Sequence, residues 1–170
     1  MKNLLCVVLF LFSIACFSQS KIDDFGKSNA KIIQRDHIGV GIVSDATGGV
    51  LHLKALHYTD LIANETAKGL KFDYQKDGSS HSTNVDADEV TMLIKYIQIL
   101  QKDFLPTATK RTYQEIGFKS RAGLQIGAFY SDDKWSILLQ VTRKTNAWIF
   151  LKDSDLTKLL SLLNRAKAVL

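Results

Sequence analysis

Two apolar stripes at helical spacing, each closing a run of short alternating segments, constrain this 170-residue chain more than any other feature. Val90, Leu93, Ile94, Ile97, Leu100 and Phe104 form the first stripe. Leu156, Leu159, Leu160, Leu163, Ala166 and Leu170 form the second. Placing Leu156 over Val90 also superposes Leu159 on Leu93, Leu160 on Ile94 and Leu163 on Ile97, an offset of 66 residues. A helix with one apolar stripe and a sheet with one apolar face must each bury that surface against another element. The pattern therefore predicts two units packed together.

The segments before each stripe have the period of strands. Ile38, Val40 and Ile42 alternate with Gly39 and Gly41, and Asp45 to Gly49 reads as a turn. Val50 to Tyr58 and Gly69 to Lys76 are the next strands, the latter with Leu70, Phe72 and Tyr74 on one face. Asp77-Gly78 is a two-residue hairpin signal, because such a turn needs positive φ at both central positions. The fourth strand, Ser80 to Val85, is nearly all polar, so one or both of its faces are expected to be wet. Asp86 and Glu89 then supply a capping box, and Leu105-Pro106 stops the helix. Tyr113 to Ser120, Leu124 to Ser131, Trp135 to Arg143 and Ala147 to Lys152 repeat the plan, and a closing helix starts at Asp153 or Ser154.

The expected fold is α+β: two β-β-β-β-α units with antiparallel sheets, halves 37–105 and 107–170 of a single domain, after a polar lead-in over 19–36. In element order this resembles the whirly-type fold of single-stranded nucleic-acid binders. The resemblance implies a nucleic-acid strand as partner.

The first eighteen residues read as an export signal. Lys2 precedes an apolar run from Leu4 to Ala15, and Cys16-Phe17-Ser18 offers small residues for cleavage. That run is too short for a permanent membrane span, which takes about 20 residues. Both cysteines, Cys6 and Cys16, fall inside this leader. A mature chain starting near Gln19 is therefore expected in the periplasm or outside the cell, without cysteine or transmembrane helix. Ser13-Ile14-Ala15-Cys16 also resembles a bacterial lipobox, departing from it at Ser13, and lipid anchoring at Cys16 is the alternative.

Residues 105–152 carry 8 basic and 3 acidic side chains, whereas residues 19–104 carry 10 and 12. In a four-strand meander the first and third turns share one end of the sheet. That brings Lys119, Arg121, Arg143 and Lys144 to one rim, near Phe129, Trp135 and Trp148. Cations beside aromatics suit a nucleic-acid strand or an anionic glycan. The competing reading is a solvated rim over core aromatics.

Catalytic chemistry has little to point to. His52 and His57 lie five apart on one strand and so face opposite ways, which disfavours a metal site. Asp86 to Glu89 lacks the glycine and distal glutamate of a calcium loop. Ser79, Ser80, His81, Ser82 and Thr83 sit in no nucleophile elbow. Gly39-x-Gly41 lies within a strand, away from any helix start. No catalytic, cofactor-binding or metal residue is assigned, and no cofactor is expected. The reading is an exported, periplasmic or envelope-associated, non-catalytic binding or interaction module, its partner an anionic ligand or an envelope protein. The alternatives are a single-stranded nucleic-acid or polyanion binder, and a hydrolase.

Overall fold

The structure is a computed structural model and describes residues 20–45, 47–106, 113–142 and 148–170. The leader, and Arg143 and Lys144 of the rim, lie outside the described residues. Strands β1 (Ile33–Ser44), β2 (Val50–Asp60), β3 (Thr66–Lys76) and β4 (Ser79–Asp86) pair antiparallel in the order β1-β2-β3-β4. Strands β5 (Gln114–Lys119), β6 (Gln125–Ser131), β7 (Lys134–Gln140) and β8 (Trp148–Leu151) form a second antiparallel sheet in the order β5-β6-β7-β8. Each sheet is followed by a helix, so the fold is α+β with two similar β4-α units. The helix after the second sheet spans Asp153–Val169, and the one after the first spans Ala87–Ile99 with a π-helical turn over Leu100–Phe104.

Local chemistry sets these boundaries. Asp77 and Gly78 adopt φ of 50° and 75°, the left-handed pair a tight hairpin demands. The Asp86 N–H donates to Glu89 Oε2 at 3.3 Å, the reciprocal half of the capping box. Lys152 N–H donates to Asp155 Oδ2 at 3.0 Å at the start of the last helix.

The inner faces of both sheets and the two long helices share one continuous core. The last helix packs on β1 and β2 of the opposite unit as well as against its counterpart helix. That counterpart touches the second sheet through Tyr96, whose hydroxyl donates to Ile116 O at 3.1 Å. Its ring lies 6.3 Å from Phe118, and Phe104 meets Trp135 edge-on at 6.1 Å. The last helix thus buries its stripe largely on the other unit's sheet, whereas its counterpart keeps contact with β3 and β4 of its own.

Two expectations change. The lead-in folds: Lys21–Lys27 is a helix, α1 (the long helices are hereafter α2 and α3), and β1 begins at Ile33. One side chain secures α1, since Ile22 is fully buried with Leu56 and Tyr58 on the outer face of the first sheet. The polar strand β4 is wet on one face, as expected, with Ser80 and Ser82 exposed, and dry on the other, where Thr83 and Val85 are buried opposite Phe72 and Leu70. In α3, Leu162 is buried and Leu160 only half-buried at the core margin. The stripe is rotated slightly toward β1, because α3 seats on the other unit's sheet.

Candidate functional site

Of the four rim cations, Lys119 and Arg121 fall among the described residues, and their settings differ. Lys119 is exposed at the end of β5. Arg121, in the β5–β6 turn, instead faces the start of α2. Its Nε donates to Asp86 Oδ2 at 3.0 Å, its Nη2 to Asp88 Oδ1 at 2.5 Å, and its backbone N–H to Glu89 Oε1 at 2.7 Å. The Asp88 hydrogen bond, with Glu89 and Asp86, raises the Arg121 pKa further, and the bond from Arg121 in turn holds the Asp88 carboxyl below its usual range. Nearby, Thr83 Oγ donates to Ala122 O at 3.3 Å. This turn is a clasp between the units, with its charge already matched.

Asp86 has a second task. Its carboxylate accepts from Ser20 Oγ at 2.8 Å and from the N–H groups of Lys21 and Ile22 at 2.9 and 3.0 Å. It thereby satisfies the first orphan amides of α1 while binding Arg121.

The two sheets differ on their outer faces. On the first, α1 covers Leu56, Tyr58 and Gly69. On the second, three successive cross-strand pairs of β5 and β6 point outward: Glu115 with Phe129, Gly117 with Gly127, and Lys119 with Gln125. Leu138 extends the glycine row on β7, and Trp148 closes the groove from β8. These residues line an open trough of about 290 Å³. Trp148 is 44% exposed and its neighbour Phe150 58%, while Phe129 is half-buried. Trp135, the other tryptophan, packs into the core between Phe104 and Tyr130.

The glycine pair is the informative feature. Neither glycine adopts a left-handed conformation. A Cβ at either would meet only ordinary contacts, the nearest a carbonyl oxygen at 3.6 Å. Neither backbone shape nor packing requires glycine here, and glycine inside a strand weakens it. Two facing strand-interior glycines are visible in the sequence as G-x-x-x-x-x-x-x-x-x-G between flanking strands. Their meaning appears only once the register sets them opposite one another on the open side.

The other candidates stay apart. His52 faces the outer side of β2 and His57 the inner side, as their pairing with Ile42 and Asp36 requires. Among the described residues no group of three or more metal-ligating side chains converges. Ser80 Oγ donates to Asp73 Oδ1 at 3.0 Å, but His81 projects to the opposite face of β4. Comparison with protein-family models and with curated proteins finds no match to this sequence.

Proposed function

We propose that this chain is an exported, non-catalytic binding module that seats a ring-bearing ligand on the open face of the second sheet. The export half of the reading rests on the leader. The binding half is carried by the Gly117–Gly127 pair, where strand stability is given up for open space beside Phe129 and Trp148. Concave space lined by aromatics with a few polar groups is the general form of a small-ligand site.

Nucleic acid is the nearest competitor, because aromatic platforms also stack bases. It is weakened by the clasp. Arg121 is matched by three carboxylates, and the trough lining holds a single cation, Lys119, together with an acid, Glu115. A polyanion site needs uncompensated cations.

The test is amide NMR on the mature protein with neutral glycans, an oligonucleotide and an aromatic-rich peptide. Shifts concentrated on β5, β6 and the Trp148 indole are expected with one of these probes. Shifts confined to the first sheet, or none with any probe, would overturn the proposal.

A further inference from the structure

Resting on that reading, we infer that the ligand is a neutral glycan, with one pyranose ring lying over the Gly117–Gly127 floor between the Glu115–Phe129 and Lys119–Gln125 pairs. Residues two apart along a strand are separated by about 6.8 Å, so the two flanking pairs stand about 14 Å apart at the backbone. The bare floor between them admits a ring of sugar thickness without moving either strand. A branched side chain at either glycine would fill that space.

The chemistry of the flanks selects among ring-bearing ligands. Glu115 accepts hydrogen bonds, Lys119 donates them, and Gln125 does both. Sugar hydroxyls also donate and accept, so one ring can satisfy both flanks at once. The apolar C–H face of a pyranose matches Phe129 and Trp148, and its polar rim matches the three hydrogen-bonding side chains. The lining holds one acid, Glu115, and one cation, Lys119, and so has no net charge, which favours a ligand without net charge. A nucleotide would bring a phosphate to a trough that also holds an acid. An aromatic peptide side chain would stack on the rings but offer the polar flanks nothing.

The trough opens at β5, an edge strand, so a longer chain can continue past the sheet. Its volume lies near the lower end for ligand sites, which suits one ring of a polymer.

The experiment titrates the full mature chain with soluble oligomers of glucose, mannose and N-acetylglucosamine in α and β linkage, following Trp148 emission and amide shifts at low and high salt. At least one oligomer should bind with affinity unchanged by salt. Gly127→Leu should weaken binding at least about tenfold without lowering the unfolding midpoint, and Glu115→Gln should weaken it about tenfold. If Gly127→Leu disturbs folding, Glu115→Gln and Trp148→Ala, both at exposed positions, carry the test. Salt-sensitive binding of the oligonucleotide at the same amides, or binding there of the peptide alone, overturns the glycan inference and leaves the binding face standing. No shift at β5 or β6 with any probe overturns both.

Discussion

Arg121 Nε binds Asp86 Oδ2 at 3.0 Å, and the same carboxylate oxygen accepts the Lys21 N–H at 2.9 Å, so one buried acid joins the two units and starts the N-terminal helix. Removing the guanidinium leaves that carboxylate without its cation. Arg121→Ala should lower the unfolding free energy by about 3 kcal/mol, the lower end for breaking a buried pair because Arg121 keeps some exposure. Urea unfolding measures this, with the exposed Lys134→Ala as a control shifting by less than about 0.5 kcal/mol. Arg121→Glu, harmless if the turn were free surface, should be worse, since it adds a fourth acid to the clasp.

Leu93→Ala and Leu163→Ala should each cost about 2–5 kcal/mol, because both side chains are fully buried between the sheets. Leu160→Ala should cost less than either, as that residue sits at the core margin. Equal losses for Leu160 and Leu163 in thermal unfolding would show that the helix is rotated from the orientation described.

Two glycine substitutions should separate packing from open space. A Cβ at Gly69 would lie 2.7 Å from Val85 O and 3.1 Å from Ile22, so Gly69→Ala should cost about 1–3 kcal/mol. Gly127→Ala should stay within about 0.5 kcal/mol of the parent. Chemical denaturation of both variants decides it, and a large loss at Gly127 would mean the fold itself needs that glycine.

Stability should fall at both pH extremes through one turn. Burial alone would raise the Asp45 carboxyl, but hydrogen bonds from Tyr74 Oη, Gly49 N–H and both donors of Thr47 outweigh it and hold the pKa at about 2. An ordinary unfolded carboxyl titrates near about 3.9. The contribution is therefore present above about pH 4 and lost as pH falls toward about 2. The Tyr74 hydroxyl is pushed up to about 12, first by burial and then by Asp45, so its contribution is present below pH 10.0 and lost as pH rises through about 12. Asp45→Asn should flatten the acid limb of a stability–pH profile and Tyr74→Phe the alkaline limb.

Intact-mass analysis of exported protein should give a mature chain starting near Gln19, or a lipid mass on Cys16 under the alternative. Removing Ser20 as well should destabilise the domain, because its hydroxyl is buried against Asp86 at 2.8 Å.

Much of the fold was legible in the sequence because alternation and helical spacing report burial directly. Val90 to Phe104 and the Asp77-Gly78 turn needed only local physics. Helix α1 was not legible, since a seven-residue helix with Ile22 as its one fully buried side chain has no period to detect. The dry face of β4 was hidden because Thr83 is buried by the other unit's turn, a contact between residues 39 apart. Separation in sequence, by 35 residues from Asp86 and 32 from Glu89, likewise hid the role of Arg121, which reads as an exposed turn cation until they are brought to it. The trough was missed for a related reason: glycines carry no hydropathy signal, and only strand register reveals that Gly117 and Gly127 face each other.

The placement of α3 on β1 and β2 has a consequence for any attempt to divide the chain. Cut between Pro106 and Tyr113, the protein would yield an N-terminal piece with a bare sheet face and a C-terminal piece with an unhoused amphipathic helix. Neither fragment holds a complete interior, yet each carries the surface the other lacks. The pair should fold only on meeting, so that expressing the pieces on separate proteins would turn this domain into a proximity reporter whose signal is its own core assembling.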